Sequence, residues 1–171
     1  MPIELRLEDK NYPFTYTDHV RLIARAFVLD EENRIAIHQL HRNDKFGDQW
    51  YYETPGGGVD EGETFELAVI RECEEEIGCD SEIIAYLGEV IDYYNLIHRE
   101  NHNRFFLLRK KEMIGKHYAS KGDYLIQKTV FLPYEELLRL YEQQEESGVA
   151  GIVKNRELPM LQEAIKIIKS L

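Results

Sequence analysis

Between Asp60 and Glu76 the chain carries eight acidic residues and one base, Arg71. Within that run Glu72, Glu75 and Glu76 stand at i, i+3 and i+4. On a helix of ~3.6 residues per turn this spacing gathers the three carboxylates into an arc of about 100°. Like charges so placed repel one another, and Arg71, four residues before Glu75, is the local base. The bland reading is a solvated helix face; the chemical reading is a cation site. Carboxylate oxygens suit Mg²⁺ or Mn²⁺ better than zinc, and Mg²⁺ pairs a few carboxylates with substrate phosphates. Just upstream, Pro55-Gly56-Gly57-Gly58 lets the backbone turn tightly and approach a metal or ligand. Gly57, Gly62 and Thr64 imitate part of a phosphate-binding P-loop. Glu63, however, stands where that loop needs lysine, and a carboxylate there repels phosphate. His98-Arg99-Glu100-Asn101-His102 falls short of a zinc-binding helix: its glutamate comes one place late and the apolar period is missing.

The elements that must position these groups follow from periodicity. Thr64 caps a helix with Glu66 in its first turn, and Gly78 ends it. Leu67, Ile70, Cys73 and Ile77 form its apolar stripe, opposite the carboxylates. Val20 to Leu29 is nearly all apolar and reads as a strand buried on both faces. Asp30 to Asn33 turns the chain into a second strand, Arg34 to Leu40, as a hairpin. Gln49 to Thr54 reads as a strand running into the glycines. Ile83 to Ile91, Asn103 to Lys110 and Tyr124 to Leu132 are further strands. Pro133 opens a helix to about Glu146, and Pro159 opens another ending near Leu171. Mixed strands and helices give an α/β or α+β class with helices covering a sheet.

Length and charge set the outer limits. A chain of 171 residues without internal repeats or linkers reads as a single domain over 1–171. A net charge of −11 argues against bulk binding to the nucleic-acid backbone or to anionic membranes. No apolar run approaches the ~18–20 residues of a membrane span. The first residues show no basic segment followed by an apolar one, so a cytoplasmic protein is expected. Cys73 and Cys79 lack zinc-site spacing and read as reduced core residues.

One segment carries a resemblance. Gly57, five residues, Glu63, seven residues, Arg71-Glu72, Cys73, one residue, Glu75-Glu76, one residue, Gly78 and Cys79 resemble the complete Nudix box. Cysteine fills both apolar slots, as a small hydrophobe can. More weakly, Ala24 to Leu29, Trp50 to Pro55 and Val130-Phe131-Leu132-Pro133 sit where that family places its elements. The resemblance implies an α/β/α sandwich around a mixed sheet. It implies metal-dependent hydrolysis of a nucleoside diphosphate linked to another group, on one to several Mg²⁺ or Mn²⁺ ions. Carried over by position, Glu72, Glu75 and Glu76 are the metal ligands, with the Gly56 carbonyl, and one of the three glutamates serves instead or also as base. Arg71 and Glu63 then pair to fix loop against helix.

The family often draws a further base or ligand from a downstream loop, where Glu112, His117 and Asp123 lie. Arg25, Arg99 and Arg104 are candidates for phosphate contact. Tyr52 and Tyr94, with Tyr51 and Tyr93, are candidates for base stacking, weighed against plain strand packing. Asp92 to Leu96 has no proline, which lowers an ADP-ribose substrate. The expectation is a small nucleotide-type substrate and a monomer or homodimer. Two other readings stay open: a non-catalytic module that senses an ADP-ribose-like ligand, and an acidic interaction protein.

Overall fold

The computed structural model describes residues 1–115 and 124–171. Its strands are β1 (Ile3–Arg6), β2 (His19–Leu29), β3 (Ile35–Asp44), β4 (Gly47–Glu53), β5 (Gly56–Gly58), β6 (Cys79–Tyr94), β7 (Arg99–Met113) and β8 (Ile126–Leu132). Its helices are α1 (Phe65–Glu76), α2 (Tyr134–Gln143) and α3 (Gly148–Ile168), with a 3₁₀ turn at Asn95–Ile97. The sheet runs β1-β6-β7-β2-β3-β4, with β5 on β2 and β8 on β3. It is mixed: β1 with β6 and β2 with β7 are parallel, and the remaining pairs antiparallel.

Alternation along the central strands divides the core in two. Phe27 and Leu29 of β2, with Phe105 and Leu107 of β7, pack against Leu137 and Tyr141 of α2 and Val153, Met160 and Leu161 of α3. Ala24, Ala26 and Val28, with Phe106 and Leu108, pack on the other face against Ala68, Val69 and Cys73 of α1. The sheet is thus a layer between helices, the α/β/α arrangement that the resemblance implied. From Ile23 to Leu29, β2 reads as a nearly continuous apolar run because both of its faces are covered there. Burial pushes the Cys73 thiol well up and the Cys79 thiol to about 11, and neither cysteine is in a disulfide. Among the described residues no helix is long and apolar enough to cross a membrane.

Three readings of the sequence need correction. Val20 and Leu22 are exposed at the open end of β2, whose burial begins at Ile23. Pro159 does not open the last helix but sits inside α3, which begins eleven residues earlier at Gly148. A mid-helix proline forgoes one backbone hydrogen bond, and here the buried face from Val149 to Ile168 outweighs that loss. Pro133 stands one place earlier than expected, as the residue capping α2. The parallel edge strand β1 gave no signal, since four residues of alternating exposure look like a tail.

The feature that makes a site is a fork. β2 and β3 pair at Leu29–Ile35, beside their turn. Beyond it, β4 takes over the side of β3 from His38 onward. The chain then crosses at Thr54-Pro55 and returns as β5 along Ile23, Ala24 and Arg25 of β2. The cleft between the diverging strands ends at the glycines.

Candidate active site

α1 is positioned at both ends. The Thr64 hydroxyl accepts the Leu67 N–H at 3.1 Å, and the Gly78 N–H donates to the carbonyls of Cys73 and Glu74. Its inward face is Ala68, Val69, Glu72, Cys73 and Glu76. The sequence reading set the carboxylates on an open stripe with Leu67 inward. Instead, Leu67 is 60% exposed, and Glu72 and Glu76 are 2% and 4% exposed. The reason is what α1 lies on: a strand of three glycines, which leaves room beneath the helix for side chains longer than alanine. A Cβ at Gly57 would stand 2.5 Å from Glu72 Oε1, and one at Gly56 would stand 2.3 Å from the Ala24 carbonyl oxygen. Glycine at these two positions is therefore a spatial requirement of the buried carboxylate and of the close strand.

Arg71 is the hub of the segment. Its Nε and Nη2 donate to the two oxygens of Glu63, both at 2.9 Å, and Nη2 also donates to the Gly58 carbonyl at 2.9 Å. Its Nη1 donates to Glu72 Oε1 at 3.0 Å and to Glu75 Oε1 at 3.2 Å. Glu63 in turn accepts the Asp60 N–H at 3.0 Å, so the loop closes on itself. Glu63, with Glu72 and Glu75 behind it, holds the guanidinium protonated well above its usual range, and Arg71 holds the Glu63 carboxyl below its own. Glu76 Oε1 accepts the Gly56 N–H at 2.9 Å and meets His38 Nε2 at 3.2 Å, while His38 Nδ1 meets the Thr129 hydroxyl of β8 at 2.7 Å.

These residues fit a hard divalent cation by their chemistry: three carboxylates within two helical turns, all donors oxygen. In the arrangement present they are drawn apart, Glu72 and Glu75 toward Arg71 and Glu76 toward Gly56. Among the described residues no three acidic, histidine or cysteine groups converge as a ligand set.

Beside Glu76 the fork holds a cavity of about 340 Å³. Arg21 and Arg25 line it from β2, His38 and Arg42 from β3, Tyr51 and Glu53 from β4, and Tyr94 and Arg99 from the far side. Under it runs a buried ionic network. Glu157 of α3 accepts the Thr54 N–H at 2.8 Å and the Tyr141 hydroxyl at 2.7 Å. Arg156, fully buried, donates to Glu53 at 2.6 Å, to Glu157 at 2.9 Å and to Asp92 at 3.4 Å. Arg25 adds contacts to Glu53 at 3.3 Å and Glu157 at 3.9 Å. Burial works to raise the Glu53 carboxyl, but Arg25 and then Arg156 hold it below the ordinary glutamate range. The crossing at Thr54-Pro55 is thereby anchored to the helix behind the sheet.

Of the residues singled out in the sequence, Arg25, Tyr51, Tyr94 and Arg99 line this cavity, next to Glu76 and Gly56. Tyr52 faces away, toward α2 and Gln144, whose amide holds its backbone. Arg104 lies on the face toward α1, where its guanidinium pairs with Glu89 at 2.9 Å and covers the Phe65 ring. Both sit on the wrong strand phase, since a one-residue step reverses the face. Glu112 is exposed near the end of β7, in a shallow depression with Lys110 and Asp80. His117 and Asp123 lie outside the described residues. Sequence reasoning missed Arg21, His38, Glu53, Arg156 and Glu157. Little in the sequence signals Arg156 and Glu157, since α3 also carries Lys154, Asn155, Gln162, Glu163 and Lys166.

A family model described as the NUDIX domain matches residues 19–151. An RNA pyrophosphohydrolase of Wolbachia pipientis subsp. Culex pipiens is 49% identical over 53 residues, 30% of this chain and 32% of that protein. An 8-oxo-dGTP diphosphatase of Haemophilus influenzae is 32% identical over 100 residues, 58% of this chain and 69% of its own. The chain thus spans about a third of the first relative's length and about two thirds of the second's. Among solved structures, a NUDIX hydrolase from Nitrosomonas europaea superimposes with a TM-score of 0.64 at 12% identity, covering 85% of this chain and 88% of its own. The E. coli ORF135 protein does so with a TM-score of 0.60 at 19% identity, covering 86% and 90%. At these identities the structures speak for the fold.

Proposed function

The chain belongs to the Nudix family, and on that premise we propose that it hydrolyses a phosphoanhydride bond in a nucleotide-type substrate with a divalent cation of the Mg²⁺ or Mn²⁺ kind. The observation that carries this reading is the juxtaposition of Glu72, Glu75 and Glu76, under a glycine strand, with an arginine-lined cavity. Two protein relatives named as a pyrophosphohydrolase and a diphosphatase lend it support. We assign Glu72, Glu75, Glu76 and the Gly56 carbonyl to hold the cation. When bound, such a cation offsets the charge gathering on phosphoryl oxygens and lowers the pKa of water.

The chain's own residues do the rest. Arg71 locks Glu63 and Gly58 together, so that the glycine strand keeps its distance from Glu72. The Gly56 N–H orients Glu76. The cavity arginines hold phosphate oxygens in bidentate fashion. Water adds to one phosphorus, the bridging P–O bond breaks, and the second phosphate leaves with the electron pair. The proton of the attacking water passes to a carboxylate oxygen of one of the three glutamates. At a net charge of −11, the cation and these arginines are what make an anionic substrate welcome.

The test is product analysis, for phosphate, pyrophosphate and phosphomonoesters, on a panel of nucleoside triphosphates, nucleotide sugars and dinucleotides, with Mg²⁺, with Mn²⁺ and with chelator. Turnover that stops in chelator and returns with either ion supports the reading. Full turnover in chelator-treated protein, or binding of the panel with no turnover in either metal, refutes it.

A further inference from the structure

The guanidiniums of the cavity are not alike. Arg25 faces Glu53 and Glu157, and Arg42 faces Asp44 at 2.8 Å. Arg21 and Arg99 line the same cavity, yet among the described residues no carboxylate stands within ion-pair distance of either. Arg99 donates to the Asn101 side chain at 2.7 Å, and its guanidinium lies over the Tyr94 ring at 4.9 Å.

The two are also neighbours. β2 and β7 run parallel with His19 beside Arg99 and Arg21 beside Asn101, so Arg21 and Arg99 share a face two residues apart. Strand spacing of ~4.8 Å and a rise of ~3.3 Å per residue set their backbones roughly 8 Å apart. Across β7 and β6, Arg99 pairs with Tyr94. At the other end of this row, Arg21 Nη2 comes within 3.3 Å of where a Cβ on Gly58 would be. Gly58 is the residue whose carbonyl receives Arg71. The row therefore runs from the acidic box past Gly58 to Arg21, Arg99 and Tyr94.

Two neighbouring cations that line one cavity without an anion repel each other, and neutral polar side chains would serve the fold as well. Partial burial, and Arg21 beside it, pushes the Arg99 guanidinium down to about 10, while Arg21 is exposed at the mouth of the cavity. Such a pair answers to a ligand that brings its own negative charge.

We propose that Arg21 and Arg99 clamp a phosphate group adjoining the pyrophosphate cleaved at the box, so that the substrate class is a 5′-triphosphate. This rests on the hydrolase reading for the place of the cleaved bond. In a nucleoside diphosphate joined to a sugar, both flanking groups are neutral and give the clamp nothing to hold. In a triphosphate the flanking group is a third phosphate, whose oxygens match the guanidinium forks. Free nucleotides and RNA 5′ ends share this chemistry.

The test is calorimetric titration in Mg²⁺ of the wild type and of Arg21→Gln, Arg99→Gln and, as a charge control on the outer face of α2, Arg139→Gln. Melting curves check that each variant folds. The ligands are guanosine triphosphate with methylene groups at both bridging positions, GDP-mannose with a methylene bridge in its diphosphate, and an RNA tetramer with the same non-hydrolysable triphosphate. Arg21→Gln and Arg99→Gln should each weaken the triphosphate by about 10- to 100-fold, the scale of one lost charge-assisted contact. The methylene-bridged GDP-mannose should change less than ~3-fold, and Arg139→Gln should move neither. A parallel loss with the tetramer extends the clamp to RNA ends; an RNA that does not bind confines it to free nucleotides. Equal losses for both small ligands, no loss for the triphosphate, or a wild type that binds no triphosphate overturns the clamp. Because binding is read without turnover, a protein that binds by this pattern and hydrolyses nothing keeps the clamp and loses the hydrolase reading. One that hydrolyses both ligand classes with equal sensitivity does the reverse.

Discussion

Replacing Arg71 by alanine separates a surface ornament from a hub. The wild-type side chain is 26% exposed, and its acidic partners Glu63, Glu72 and Glu75 are 16%, 3% and 13% exposed. Removing one partner of a fully buried ion pair costs ~3–5 kcal/mol, because the remaining charge stays desolvated. Water reaches Arg71 in part, so a loss of about 2–4 kcal/mol is expected, most of it from Glu72. For a chain of this size each kcal/mol lowers Tm by ~2–4 °C, which gives a fall of about 4–16 °C. Catalysis should suffer separately. Glu63 and the Gly58 carbonyl lose their common donor, the glycine strand loses its fixed distance from Glu72, and kcat should drop at least ~10-fold. Arg71→Lys should rescue little, since one ammonium cannot span two Glu63 oxygens, Gly58 and Glu72 together. The assays are thermal melting in chelator and steady-state kinetics with Mg²⁺. An Arg71→Ala protein with wild-type melting and wild-type kcat would refute the hub.

Glu76→Gln keeps an oxygen for the Gly56 N–H, so chelator-treated stability should move by less than ~1 kcal/mol while activity falls at least ~10²-fold. Glu74→Gln should leave activity alone; if the two variants behave alike in kinetics, the assigned helix face is wrong. Glu157→Ala strands the Thr54 N–H, the Tyr141 hydroxyl and part of the Arg156 charge. A loss of about 3–5 kcal/mol in urea unfolding is expected, and a loss under ~1 kcal/mol would show the network to be dispensable. Arg71 holds Glu63 below its ordinary range, Arg42 does so for Asp44, and Glu53 is lowered by its arginines against its burial. The folded state therefore binds fewer protons than the unfolded one, and stability should be complete above about pH 5 and fall as pH drops through the folded values. Arg71→Ala should flatten that slope, and an unchanged slope would contradict the assignment to Glu63.

The box was legible because its parts are consecutive. Glycines, a capping threonine, an arginine and glutamates at helical spacing interact within one strand, one turn and one helix, so spacing alone carries the pattern. The sequence likewise announced that β2 is covered on both faces from Ile23 to Leu29, where Arg25 is the one polar interruption. It did not specify which way α1 faces. Glutamates count as outward residues by polarity, and only a strand of glycines beneath the helix lets Glu72 and Glu76 turn inward.

The other half of the site was decided by tertiary structure. Glu157 meets the Thr54 N–H across 103 residues of chain, and His38 meets Glu76 across 38. Arg21 and Arg99 become neighbours through a parallel pairing that no local spacing announces. Of the adjacent candidates Tyr51 and Tyr52 only Tyr51 lines the cavity, and Arg104 turns toward α1, because adjacent residues of a strand point to opposite faces. Residue types state which groups can do the chemistry; the register and divergence of β2 and β3 decide which of them share a cavity.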